Sequence, residues 1–133
     1  MVRKLEELAN EILDKALKSA DAAEVFYIQS NSLPVSFEAN KVKSVESHET
    51  RGAALRIIKN GRVGFSATSR LSDPDLLVAS ALETAALGPN AAFDFPNFSK
   101  FDDVPVSNTL VSSISINQMV ELGDSIVQEI RST

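Results

Sequence analysis

The sequence predicts an α+β fold in which three helices pack on a mainly antiparallel sheet. Apolar residues recur every three or four positions over about 2–19 and again over about 117–131, as they do in amphipathic helices. The pair Asn60-Gly61 separates two strand-like runs and predicts a β-hairpin over 51–68. The third helix, at about 73–87, follows the hairpin and carries a broad face of small apolar residues.

The ends of the middle helix are predicted from its capping residues. Ser72 is the expected N-cap, and Pro74 falls in the first turn, where a backbone N–H has no helical partner to lose. Asp75 suits the same end because a carboxylate is stabilised by the helix dipole there. Gly88 and Pro89 then end the helix.

The strand regions differ in how their apolar residues are spaced. Residues 25–28 are apolar on both faces, so we expect an interior strand that is covered on both sides. The segment 34–40 alternates instead, with Val35, Phe37 and Ala39 on one face, and predicts a strand with one wet face. After a turn near Asn40, residues 41–49 predict a further, mostly polar strand.

Two registers are open to the hairpin, and they differ in which side chains share a face. A two-residue loop pairs Ile58 with Val63, whereas a three-residue loop over 59–61 pairs Ile58 with Arg62. We favour the three-residue loop, with Gly61 in the left-handed conformation, because it gathers the apolar side chains on one face. That face would hold Ala53, Leu55, Ile57, Val63, Phe65 and Ala67.

The organisation that these elements predict is one domain with a long internal connection. Residues 1–88 form the α+β core, residues 89–114 a connecting arm, and residues 115–133 the terminal helix of the same domain. The arm holds four of the seven phenylalanines, and aromatic side chains at this density bury against something. They are either wrapped on their own domain or docked on a partner or a missing segment. The candidate interdomain or partner contacts are Phe93, Phe95, Phe98 and Phe101.

Composition excludes several classes of function. The chain has 133 residues, a net charge of −5 and no cysteine, which excludes disulfides and thiolate metal sites. Basic and acidic residues number 10 and 9 over positions 1–66 but 3 and 9 over 67–133, a balance that argues against nucleic-acid binding. Neither a signal peptide nor the roughly 20-residue apolar run of a membrane span is present. We therefore expect a soluble, cytoplasmic protein.

A search for catalytic chemistry returns nothing that the residues support. His48 is the single histidine of the chain and is followed by Glu49, the pair that opens a helical zinc motif. Such a motif needs a second histidine one turn later, and the surrounding sequence predicts a strand or turn. No serine–histidine–acid set and no glycine-rich phosphate loop is present. We therefore assign no catalytic and no metal-binding residue.

The segment from Ala22 to Ala86 resembles the N-terminal domain of the TldD/PmbA family, also known as modulators of DNA gyrase. The resemblance lies in DAAEVFYIQS, in VSFEANKVKSVES, and above all in ETRGAALRIIKNGRVGFSATSRLS, followed by DLLVASALETAALG. The last two stretches match the family's hairpin, with its Gly-Phe-x-x-Thr strand, and the helix after it. The first and last helices agree with the family by position.

The resemblance implies proteolysis in the cytoplasm, such as peptide processing or antitoxin degradation. Family members are metallopeptidases with a His-Glu-x-x-x-His zinc motif far beyond this domain, or inactive partners that lack the motif. The chain would then be a fragment without cofactor, and zinc would belong to the full-length parent. Its partners would be the missing C-terminal domain, a family member in a homo- or heterodimer, and a peptide. A stand-alone protein-interaction module is the alternative, whereas the chain's acidity argues against binding gyrase or DNA.

We expect the 133-residue chain to bind no zinc at stoichiometric level, because one histidine and no cysteine cannot complete a tetrahedral site. Elemental analysis after dialysis against zinc checks this expectation. The His48→Ala variant serves as the control. One zinc per chain that disappears in this variant would show that His48 does belong to a metal site.

Overall fold

The computed structural model describes residues 2–97 and 99–133. Three helices, five strands and one short 3-10 turn follow one another along the described chain, and the predicted α+β class with antiparallel sheets is confirmed. The helices and strands are α1 (Val2–Leu17), β1 (Ala22–Ser32), β2 (Val35–Glu38), β3 (Lys41–Val45), β4 (His48–Lys59), β5 (Arg62–Thr68), α2 (Pro74–Ala86) and α3 (Ile116–Ser132), with the 3-10 turn at Val111–Ser113. The three predicted helices are therefore present, with ends that differ by one or two residues.

The chain divides into two compact units, one of residues 1–29 with 50–98 and one of residues 30–49 with 99–133. The first unit contains the three-stranded sheet, in the order β1-β4-β5, together with α1 and α2. Its buried core joins one face of the sheet to both helices. The core residues are Ile12, Ala16, Ala20, Ala53, Leu55, Ile57, Leu77, Val78, Ala81 and Ala85.

The hairpin has a two-residue turn, so the predicted three-residue loop is wrong. Lys59 pairs with Arg62 and Ile58 with Val63. Asn60 and Gly61 both have positive φ, 50° and 71°, as a type I′ turn requires. The predicted face is also wrong, because Val63, Phe65 and Ala67 do not share a face with Leu55 and Ile57; in this register Leu55 is opposite Ser66 and Ile57 opposite Gly64.

The close approach of α2 to β5 explains this register. A Cβ atom on Gly64 would lie 2.1 Å from the Ala81 carbonyl oxygen and 2.7 Å from the Ala85 Cβ. The helix therefore rests on the backbone of Gly64, and the apolar partners of Leu55 and Ile57 come from α2. Apolar side chains from β5 are not needed on that face, so counting apolar residues selected the wrong register.

The helix α2 begins one residue later than expected. Asp73, not Ser72, is the N-cap, and its carboxylate accepts a hydrogen bond of 3.1 Å from the Leu76 N–H. Asp75 makes no capping bond of this kind in the described structure; it accepts a hydrogen bond of 2.7 Å from Lys15 of α1. That hydrogen bond is the main reason why the pKa of Lys15 is raised above its ordinary value.

The strand β1 lies at the border of the three-stranded sheet, so the prediction of an interior strand covered on both sides is wrong. Val25 and Tyr27 pack against the core, but Phe26 is 64% exposed and Ile28 46%. One face of β1 therefore packs on the core, and the described residues leave the apolar side chains of its other face largely exposed.

The second unit consists of the β2–β3 hairpin and α3. The two strands are antiparallel, with a turn at Ala39 and Asn40, both in the left-handed region, as expected for a turn near Asn40. The helix α3 begins with a capping box between Ser115 and Gln118, which the sequence analysis did not identify. Gly123 faces the Phe37 ring, whose Cε2 would lie 2.1 Å from an added Cβ. No side chain of α3 is buried.

Within residues 2–97 and 99–133, none of the helices combines the length and the apolar character that a membrane span requires.

We expect Gly64→Val to destabilise the fold strongly, because the new side chain would collide with the backbone of α2. Overpacking of this kind costs about 1–3 kcal/mol and occasionally more, and urea-induced unfolding followed by circular dichroism measures the loss. Gly61→Asn is the matched control, since nothing lies within 4 Å of its Cβ position and Asn tolerates a positive φ. An unchanged midpoint for Gly64→Val would contradict the close approach of α2.

Candidate functional site

The structure brings two of the four predicted contact residues together. Phe93 and Phe95 form an aromatic pair, with ring centroids 5.8 Å apart and planes inclined by 60°. Phe101 is 82% exposed. Phe98 lies outside the described residues. Phe93 and Phe95 thus contact each other within the first unit, and a role in interdomain or partner contacts stays a prediction for Phe93, Phe95 and Phe101.

Arg56 of β4 holds the aromatic pair. Its guanidinium carbon lies 5.1 Å from the centroid of the Phe93 ring and 5.2 Å from that of Phe95. Both distances are within the range in which a cation is attracted to the negative face of an aromatic ring. A single cation therefore fixes two rings of the arm to the sheet.

The guanidinium is itself oriented by Glu24 of β1, whose carboxylate forms an ion pair with it. The Arg56 Nε is buried without a hydrogen-bond partner, so the rings and the carboxylate are the groups that stabilise the charge. Glu24 and Arg56 are each about two-fifths exposed, which makes the ion pair alone a weak contribution. Its structural effect is to hold the plane of the guanidinium where both rings can contact it.

The backbone of the arm is fixed where it leaves α2. The Val63 N–H donates to the Pro89 carbonyl at 2.9 Å, and the Ala91 N–H donates to the Gly61 carbonyl at 2.7 Å. Between these bonds Asn90 forms an isolated β-bridge with Arg62. The chain thus runs along the hairpin end of β5 before Phe93 and Phe95 reach Arg56.

Around Arg56 the sheet presents a face that α1 and α2 do not cover. A shallow cleft of about 410 Å³ is lined by Phe26, Ala54 and Phe65 together with Glu24 and Arg56. A second cleft, of about 340 Å³, continues past Ile28 and Ala67. We call this surface the open face and define it by Phe26, Ile28, Ala54, Phe65 and Ala67.

Metal-binding chemistry has no support in the described residues. Among them, no group of three or more His, Asp or Glu side chains is placed to hold a metal ion. His48 begins β4, is more than half exposed, and its Nε2 lies 2.9 Å from Glu46 Oε2.

The arrangement is suited to recognition of an apolar partner. The open face offers apolar area with one neutralised cation, and no nucleophile is paired with a base among its residues. The sequence analysis identified Phe93 and Phe95 but missed Glu24 and Arg56. A signal for Arg56 was available, because it lies between Leu55 and Ile57 in the strand and must face the opposite side.

Comparisons with known proteins agree on one family. A family model described as PmbA/TldA metallopeptidase domain 1 matches residues 23–86. No curated protein matched the chain significantly.

Three solved structures share the fold, all at low sequence identity. TldE from Thermococcus kodakarensis is 18% identical, with a TM-score of 0.84 over 94% of this chain and 29% of that chain. A candidate modulator of DNA gyrase from Bacteroides thetaiotaomicron is 17% identical, with a TM-score of 0.79 over 93% of this chain and 30% of that chain. Another from Thermotoga maritima is 13% identical, with a TM-score of 0.74 over 90% and 27%. The chain thus spans less than a third of the proteins it resembles.

We expect Arg56→Gln to release the Phe93–Phe95 pair from the sheet, because the amide lacks the charge that both rings contact. Two cation–π contacts at about 0.5–1 kcal/mol each predict an increase of roughly 5- to 30-fold in hydrogen exchange of the Ala91 amide, which donates to the Gly61 carbonyl. Arg70→Gln, on an exposed arginine after β5, is the control and should leave this exchange unchanged. Equal exchange in both variants would show that Arg56 does not hold the arm.

Proposed function

We propose that the chain is the N-terminal, non-catalytic domain of a cytoplasmic TldD/PmbA-like metallopeptidase, because the model of the first domain of that family matches residues 23–86. In this role it contributes to assembly of the dimer and to enclosure of the peptide. The hydrolysis of the peptide, and the zinc ion that supports it, belong to a part of the longer protein outside these 133 residues. The single observation that carries the proposal is the match of residues 23–86 to the first domain of a metallopeptidase family.

The side chains that could bind a metal ion in this chain support a non-catalytic role. The chain holds one histidine and no cysteine, and the histidine side chain is exposed beside Glu46. The acidic side chains that the structure describes do not converge on a common point with it. A zinc-dependent active site would therefore need its ligands from elsewhere in the longer polypeptide.

Exposed apolar surface supports a role in assembly. The helix α3 has a clear apolar stripe, and its residues are exposed: Leu122 by 62%, Ile126 by 48% and Ile130 by 70%. Monomeric proteins seldom leave such stripes in water, and they commonly mark surfaces that another protein or domain covers. A domain that takes part in assembly would bury such surfaces against its partner.

A free-standing interaction module is the second candidate. The same exposed stripe favours it, since an isolated module would also present apolar surface to a partner. The two candidates differ in the coding sequence after Thr133. A continuing frame with a His-Glu-x-x-x-His motif, or a degenerate form of it, favours the peptidase, whereas a stop codon there favours the module.

We expect the longer polypeptide, alone or with a second family member, to hydrolyse an unfolded peptide in a zinc-dependent way. The 133-residue chain, which lacks the second histidine, should show no hydrolysis. A fluorogenic peptide assay with and without chelator measures both. The catalytically dead variant of the downstream motif separates this activity from a contaminant. Chelator-sensitive hydrolysis by the 133-residue chain alone would contradict the non-catalytic assignment.

A further inference from the structure

The helices α1 and α2 cover only one of the two faces of the three-stranded sheet. One face is covered by α1 and α2 and contains Leu55 and Ile57, which are 0% and 1% exposed. On the open face Phe26 is 64% exposed, Ile28 46% and Phe65 54%. Sheets with apolar side chains on both faces are stable when each face packs against another layer. The open face therefore has the composition of an interior face without its cover.

The two edges of the same sheet are also unequal, and the β5 edge is well protected. Thr84 of α2 reaches across it, and its hydroxyl accepts from the Phe65 N–H at 2.9 Å and lies 2.9 Å from the Phe65 carbonyl oxygen. The Val63 N–H is taken by Pro89 in the arm. Side-chain and backbone groups thus occupy the positions that an added strand would need.

The β1 edge lacks several of the usual forms of protection. Natural edge strands are blunted by Lys, Pro, bulges or short length. The strand β1 is 11 residues long, contains no Lys and no Pro, and has Glu24 as its single charged residue. That charge is turned onto the open face by the ion pair with Arg56. Among the described elements, β4 is the one strand that borders β1.

We propose that the open face and the β1 edge form the docking surface for the part of the family polypeptide that lies outside these 133 residues. This inference rests on the proposed function, because it requires a longer chain. Its solved relatives are more than three times as long as the shared segment, so the polypeptide has ample length to supply the cover. The cover would place apolar side chains over Phe26, Ile28 and Phe65.

Two features favour this occupant over others. A poorly protected edge beside exposed phenylalanines is an aggregation hazard whenever it is uncovered, so the occupant should be permanent, which a transient peptide is not. A second copy of this chain is not tethered, so it would occupy the face only as far as its concentration allows and would not be a permanent cover. A segment of the same polypeptide meets neither objection, and its tether raises its effective concentration.

Cysteine labelling tests the proposal without background from this region, because the 133 residues contain no cysteine. Ala67→Cys places a thiol on the open face, and Ala79→Cys places one on the exposed side of α2 as the control. Each variant is made in the 133-residue chain and in the continuous polypeptide that its gene encodes. Labelling by iodoacetamide is followed by mass spectrometry of the tryptic peptides 63–70 and 71–100.

We expect the thiol at position 67 to react at least about tenfold more slowly in the longer polypeptide than in the 133-residue chain, while position 79 reacts equally in both. Equal rates at position 67 would overturn the proposal, as would a reading frame that ends at Thr133. Protection that grows with the concentration of the 133-residue chain alone would assign the face to a second copy. Protection of that chain by a tryptic digest of casein would assign the face to a peptide.

The labelling experiment and the hydrolysis assay test the docking surface and the proposed function separately. A longer polypeptide that hydrolyses peptide but labels freely at position 67 would leave the function intact and reject this docking surface. A polypeptide that protects position 67 but hydrolyses nothing would keep the docking surface and reject the peptidase.

Discussion

The close approach of α2 to β5 at Gly64 is the contact on which the rest of the first unit depends. The helix backbone comes so near the strand that a Cβ atom at this position would lie 2.1 Å from a carbonyl oxygen. Ser66 and Thr84 secure the same contact by hydrogen bonds between strand and helix, at 2.7 Å to the Leu77 carbonyl and 2.9 Å to the Phe65 carbonyl. Because the helix occupies this face so fully, the larger side chains of β5 must lie on the other one.

That displacement produces the surface through which we expect the domain to act. With α2 resting on Gly64, Phe65 joins Phe26 and Ala54 on the open face, beside Arg56. Arg56 is a charged residue on this apolar face. Its charge is neutralised by Glu24, and Phe93 and Phe95 pack against its guanidinium. A buried close contact on one side of the sheet thus creates an apolar recognition surface on the other.

The charged side chains of the first unit serve to hold its parts together. Its sheet is built to be packed on both faces, and its charged side chains are used to hold the arm and to join α1 to α2. Assembly and enclosure need such surfaces, whereas zinc chemistry needs convergent ligands. Our proposal that this domain supplies packing surfaces and a longer chain supplies catalysis agrees with these observations.

The sequence by itself determined the three helices and the hairpin, because helical periodicity and the Asn60-Gly61 turn are local properties. The family likeness came from the resemblance of the stretch from Ala22 to Ala86. The sequence also identified the aromatic arm, since four phenylalanines in nine residues need no structure to be noticed. Only the tertiary structure decided the hairpin register, the border position of β1 and the partnership of Arg56 with Phe93 and Phe95. The register depends on how closely α2 approaches Gly64, and the other two depend on contacts between segments distant in the chain, none of which leaves a periodic trace in the sequence.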